Sequence, residues 1–211
     1  MIIGIWNGTG FNLVKWASGL GILLALLGCT RSPLVSYYML APDGDTVPAS
    51  PTVSITSVAV NTPVLPSYVN KDEIVERLPG DRVEIHEHQR WATDLDDMIR
   101  DFLIAALQRR VPEISVVSRD SKFSRDANLR WDGAFSRFDI YQGQGISLEL
   151  SWQIVSEGGR KIQPKNRILV VQDLADSSIE TTVGVLSTAL ERIADDIAAH
   201  LQSLVRESPP R

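Results

Sequence analysis

Ile146-Ser-Leu-Glu-Leu-Ser-Trp-Gln-Ile154 alternates without a break between apolar and polar side chains. In an extended chain successive side chains point to opposite faces, so Ile146, Leu148, Leu150, Trp152 and Ile154 share a dry face. Ser147, Glu149, Ser151 and Gln153 share the other, which the pattern predicts to be wet. The strand read here runs to Ser156. Two further runs rich in β-branched and aromatic residues flank it, 129–141 and 166–173, and the segments Gln142-Gly-Gln-Gly145 and Glu157-Gly-Gly-Arg160 supply turns. The spacing predicts an antiparallel three-strand meander.

Working outward, the segment after the meander is predicted to be helical from about Ser178 to Leu204. Val183, Leu186, Leu190, Ile193, Ile197, Leu201 and Leu204 fall on one stripe, with Glu191, Arg192, Asp195 and Asp196 off it. A coiled-coil seam is the alternative to packing on a sheet. Upstream, Leu95, Met98, Ile99, Phe102, Leu103, Ala106 and Leu107 make a second helical face. Thr93 with Asp96 has the form of a capping box, Asp94, Asp96 and Asp97 suit the positive end of the helix dipole, and Arg109 and Arg110 suit the negative end before Pro112. Ile114–Val117 reads as a short strand. Between Val35 and His88 the readings are strands at 35–40, 53–60, around Ile74-Val75 and at 82–88. A change of phase at Ser57 predicts a bulge, and the prolines crowded between Pro33 and Pro79 forbid a long helix. The order predicts one α+β domain, a mainly antiparallel or mixed sheet with two long helices on one face. It spans residues 35–206, with 207–211 a disordered tail.

The chain has 211 residues, 44% of them hydrophobic, with 21 basic and 26 acidic side chains, three His and one Cys. One cysteine cannot make an intrachain disulfide, and the apolar content is too high for a disordered chain. A net charge of −5 without a Lys/Arg-dense stretch argues against nucleic acid.

The lone cysteine closes the most apolar stretch of the sequence, 16–28, which follows Lys15. A bilayer-spanning helix needs about 20 apolar residues, whereas a signal-peptide core needs roughly 7–15 after a positive start. Residues 1–28 therefore read as an export signal. Leu26-Leu27-Gly28-Cys29 resembles the bacterial lipobox, with small Gly28 before the acceptor Cys29 and cleavage between them. By that resemblance Cys29 carries a diacylglycerol on sulfur and an acyl chain on nitrogen, and no other cofactor is expected. A single acyl chain binds a membrane only marginally, but several together hold durably. A buried free thiol is the plain alternative. Thr30 in place of Asp after the cysteine points, by the sorting rule of such lipoproteins, to the periplasmic face of the outer membrane. Residues 29–34 are the acylated N-terminus and a tether reaching about 20 Å at most.

Candidate chemistry is sparse. His86-Glu87-His88 places two imidazoles on one strand face, half of a metal site at best, against a solvated strand face. Asp94, Asp96, Asp97 and Asp101 are explained by a helix start as well as by acid–base work. Gly143-x-Gly145 lacks the third Gly and the helix of a dinucleotide site, and no nucleophile elbow or phosphate-binding loop occurs. Only a dispersed triad using His200 remains, so neither catalytic nor metal residues are assigned. Trp131 and Trp152 read as core, with lipid or partner contact as the alternative. Trp91 is expected to wedge the corner between a strand and the first helix, and Arg90 and Trp91 stand as either a partner-contact or a structural motif.

Several of these pieces together resemble the ABC-type transport auxiliary lipoproteins, the PqiC-like (paraquat-inducible operon) family. They are Tyr37-Tyr38-x-Leu40 with Pro42 shortly after the cysteine, Ile74-Val75-x-Arg77, and above all Arg90-Trp91-Ala92-x-x-Leu95 leading into the amphipathic helix. The resemblance implies a non-enzymatic outer-membrane lipoprotein that docks an MCE-domain periplasmic protein, with an ABC permease and ATPase in many systems, and it allows homo-oligomeric rings. Such systems move phospholipid or other hydrophobic molecules across the envelope. The alternatives are a periplasmic lipid or small-ligand carrier, with Trp131, Trp152 and the helix stripe lining a cavity, and a lipid-anchored hydrolase.

Overall fold

A computed structural model describes residues 33–44, 57–156 and 165–207. The export signal, Gly28 and Cys29, the strand before Ser57 with its bulge, the turn after Ser156 and residues 208–211 lie outside the described residues. Strands β1 (Ser36–Tyr38), β2 (Ser57–Val60), β3 (Glu73–Leu78) and β4 (Arg82–Trp91) precede helix α1 (Leu95–Arg110). β5 (Ser115–Ser118), β6 (Leu129–Tyr141), β7 (Gly145–Ser156), β8 (Asn166–Asp173) and helix α2 (Ile179–Glu207) follow. The last helix takes in Glu207, which the sequence reading assigned to the tail.

All eight strands join one mixed sheet. The long ladders, β3–β4, β6–β7 and β7–β8, are antiparallel, and the short pairings β1–β4, β2–β5, β2–β6 and β3–β6 are parallel. β6 is the axis of the sheet. One of its edges carries β7; the other is shared along its length by β2 (Val58 opposite Leu129), a bridge from Val64 to Ala134, and the end of β3 (Arg77 opposite Tyr141). Two short strands and the bridge at Val64 thus do the work of one long strand, and residues 65–72 loop out before β3 begins. The ladders shift between Glu73 and Ile74 and between Phe135 and Arg137.

Both helices pack on one face of the sheet and against each other. The whole apolar set expected on α1 is buried. On α2, Leu186, Leu190, Ile193, Ile197 and Leu201 are buried and Val183 and Leu204 partly so, so the stripe belongs to the domain core rather than to a coiled coil. Trp131 and Trp152 fill the middle at 1% exposure each. The Trp131 ring lies across Gly133, where an added Cβ would sit 2.2 Å from its Cη2. That close approach is what requires glycine there.

Two sequence readings are corrected. The first concerns the face of β7 expected to be wet: Ser147 and Glu149 are only 7% and 9% exposed. β7 is an interior strand, and Arg167 of β8 lies against Glu149, covering it from the side. The second concerns the start of α1. Asp94, not Thr93, occupies the N-cap, and no side-chain cap bond forms. The Asp96 carboxylate accepts instead from the Asp97 N–H, 2.9 Å, and from Asn70, 3.3 Å. The acidic first turn and the basic last turn are present as expected.

Candidate functional site

The segment at the start of the described residues, which carries the Tyr37-Tyr38 pair, is the first place to look for function. β1 pairs with the end of β4, placing Tyr37 opposite Arg90 and Tyr38 opposite Trp91. From there the chain is fastened across the helical layer. The Tyr38 hydroxyl donates to Glu180 of α2, 2.9 Å, and the Leu40 N–H points at the Met98 sulfur of α1, 3.1 Å. The Asp43 N–H donates to Glu191 of α2, 2.9 Å. Burial, followed by the neighbouring Glu180 carboxylate, raises the Tyr38 phenol above its ordinary pKa.

Glu191 is the hub of this strap. Its carboxylate also receives Arg109, 2.9 Å, and Arg110, which in turn reaches Asp195 at 2.6 Å. The two arginines expected to answer the dipole at the end of α1 therefore also clamp the two helices together. Glu191 is 9% exposed; three donors converging on it offset the cost of taking its charge out of water.

Arg90 and Trp91 occupy the corner where β1, β4 and the approach to α1 meet. Trp91 is 4% exposed, packed in the core. Its N–H donates to the Asp72 carbonyl, 2.7 Å, and the next N–H, of Ala92, donates to the Tyr38 carbonyl, 2.9 Å. Arg90 donates to Glu73 at 2.6 Å, and its Nε is buried without a hydrogen-bond partner. The buried indole sets the corner; the surface beside it is formed by Tyr37, two-thirds exposed, and the half-buried Arg90 guanidinium.

The other candidates go elsewhere. His86 bonds to the buried Glu76 at 2.9 Å while His88 is exposed, and among the described residues no three His, Cys, Asp or Glu converge on a metal position. Asp97 and Asp101 pair with Arg100. His200 stacks edge-on against Trp152 with its Nδ1 at the Asp196 carbonyl, 2.7 Å, and the Ser203 hydroxyl donates to the His200 backbone carbonyl rather than to its ring. Trp131 and Trp152 are packed into the core. A groove of about 450 Å³ opens on the surface, lined by Val64, Gly133, Ser151, Trp152 and Lys165.

The face of the sheet away from the helices carries a polar network that the sequence did not suggest. Asp139, 3% exposed, accepts from Tyr68 at 2.6 Å, Arg77 at 3.0 Å and Tyr141 at 3.2 Å. Tyr68 comes from the loop between β2 and β3, so this carboxylate pins that loop to β6. Burial, and then the adjacent Asp139 charge, push the Tyr68 phenol up to about 12. The packing leaves Val83 and Ile85 of β4 and Leu169 and Val171 of β8 exposed on the same face.

Comparison with known proteins agrees with this geometry. The fold matches a crystal structure of an uncharacterized protein at 18% identity and TM-score 0.66, covering 80% of this chain and 99% of that one. It also matches a protein from Xanthomonas campestris at 16% identity and TM-score 0.62, covering 78% and 93%. At these identities the likeness is one of fold. No curated protein matches the sequence. The family model for the ABC-type transport auxiliary lipoprotein component matches residues 38–198, from the strapped tyrosine of β1 to the last turns of α2. This chain belongs to the ABC-type transport auxiliary lipoprotein family.

Proposed function

We propose that this lipoprotein is the non-enzymatic, outer-membrane component of an envelope transport system for lipids or other hydrophobic molecules. It docks an MCE-domain periplasmic protein, and through it an ABC permease and ATPase, and it works as a homo-oligomeric ring. Cys29 holds it to the membrane through its diacylglycerol and N-acyl chains. The observation that carries the reading is the strap: β1 begins at Ser36, shortly after Cys29, and the next residues are bonded in turn to Glu180, Met98 and Glu191. An anchor attached so close to a fastened strand holds the whole domain at the bilayer surface. That suits a docking part, whereas a soluble shuttle gains nothing from it. The family match supports the link to ABC-type transport.

Changing Cys29 to Ser tests the anchor. The variant is expected to fold as the parent does, judged by circular dichroism, and to leave the membrane pellet for the soluble fraction. Retention in the pellet after a carbonate wash overturns the lipidation. Docking is tested by co-purification of an MCE-domain protein with the parent from detergent-solubilised envelopes; its absence after cross-linking overturns that half.

A further inference from the structure

Among the described residues, two long strands of the sheet, β4 and β8, have open outer edges. β1 covers only Gln89–Trp91 of β4, leaving Arg82–His88 with no neighbour on that side among the described residues. Among the described residues β8 pairs with β7 alone, from Asn166 to Asp173. Such edges present unpaired N–H and C=O groups, and soluble proteins ordinarily blunt them. Here they instead carry apolar side chains on the face away from the helices: Val83 and Ile85 are 47% and 45% exposed, Leu169 and Val171 57% and 58%.

We infer that the β4 edge of one copy of this chain pairs, antiparallel, with the β8 edge of the next. Three features of the molecule converge on this occupant. First, β8 runs parallel to β6 and β4 antiparallel to it, by the chain of pairings β6–β7–β8 on one side and β6–β3–β4 on the other. Copies repeated by rotation about an axis along the strands therefore bring β4 against β8 in the antiparallel sense with the helical layers on the same side. Second, one register sets the exposed apolar side chains against each other and an acid against a base: Val83 against Val171, Ile85 against Leu169, Glu87 against Arg167. Arg167 is 72% exposed although it touches Glu149 of its own chain, so its guanidinium stays within reach of a neighbour. A parallel pairing of these two edges is excluded by the same rotation, which preserves the direction of every strand. Third, the interface uses two different surfaces, so it is head-to-tail and extends beyond a dimer.

This inference gives a surface to the self-association in the proposed function and rests on that part of it; it is independent of the MCE partner. Directly opposed antiparallel residues have Cα atoms about 4.5–5.5 Å apart, within disulfide reach. The test is the full-length chain in detergent carrying Ile85→Cys and Leu169→Cys together, oxidised mildly and run without reductant, with the parent and the two single variants as controls. The double variant is expected to give a ladder of dimers, trimers and larger species, and each single variant to match the parent. Dimers from Ile85→Cys alone show a β4–β4 contact and overturn the inference. So does linkage to a different polypeptide, or the absence of a ladder in a folded double variant. Light scattering on the same samples separates the two failures: an oligomeric mass without a ladder leaves the ring but moves its interface, whereas a protomer mass overturns both. Ile85→Lys, which buries a charge at the junction, is expected to reduce the parent's mass to that of the protomer while leaving the circular dichroism unchanged.

Discussion

Replacing Gly133 by Ala reverses the usual sign of a strand substitution. Ala in the middle of a strand is ordinarily favoured over Gly by about 0.5–1 kcal/mol, because the unfolded chain then has less backbone entropy to lose. At Gly133 the new methyl carbon would lie 2.2, 2.6 and 2.9 Å from three carbons of the Trp131 ring. That ring is rigid and 1% exposed, so it cannot swing away without displacing its neighbours. Forcing an extra carbon into a packed core costs about 1–3 kcal/mol. Less the backbone gain, the expected net loss is about 1–2 kcal/mol, or a fall in Tm of roughly 2–8 °C for a domain of this size. Urea unfolding followed by tryptophan fluorescence measures it, with the slope unchanged and the midpoint lowered. Shrinking the partner with Trp131→Phe in the Gly133→Ala background should recover part of the loss relative to the sum of the single changes. A Gly133→Ala variant as stable as the parent, or more so, refutes the packing described. It would also reveal free space beside the central tryptophans, the room that a ligand carrier needs.

Further outcomes follow from the strap and the polar network. Glu191→Ala leaves Arg109, Arg110 and the Asp43 N–H without their shared acceptor; a loss of about 2–3 kcal/mol is expected, together with faster limited proteolysis after β1, and unchanged cleavage there counts against the strap. Tyr68, whose folded pKa is raised to about 12 by burial and Asp139, adds stability that is complete below its unfolded value of about 10 and is lost as pH rises towards 12. After allowance for its partial exposure the effect is about 1–2 kcal/mol; the parent should lose stability between those pH values more steeply than Tyr68→Phe, and identical slopes for the two would contradict the assignment. Spectrophotometric titration should show one tyrosine fewer ionising near pH 12 in that variant.

The parts of this fold that are legible in sequence are those in which one element's own periodicity decides burial. The spans 129–141 and 166–173 read from residue types match β6 and β8, and the apolar face of α1 is the buried set residue for residue. The pattern of β7 identified its strand but not its surroundings. Whether Glu149 is wet depends on Arg167, a side chain of the neighbouring strand, and no local rule carries that. The same holds for the sharing of one β6 edge by β2 and β3, and for the bonds from Tyr38 to Glu180 and from Asp43 to Glu191, partners separated by more than half the chain. Arg90-Trp91 was visible as an unusual pair; its place as the corner beneath β1 became plain only with the pairing of β1 on β4. The short 3-10 turn at Lys122–Asp126 sits in a segment where the sequence offers no pattern.

The shared edge of β6 also sets an order of assembly. β2 and β3 are joined into one sheet only by a strand that begins at Leu129. While the chain is made from its N-terminus, the hairpin of β3 and β4 can close by itself, but an isolated two-stranded hairpin is marginal in water. The sheet becomes continuous only after residues 129–141 arrive, and the last helix of its cover, α2, follows later still. Contacts of such long sequence separation make closure slow. The first half of the chain therefore cannot lock prematurely, and the sheet closes in one late step, when β6 is at last available to both strands.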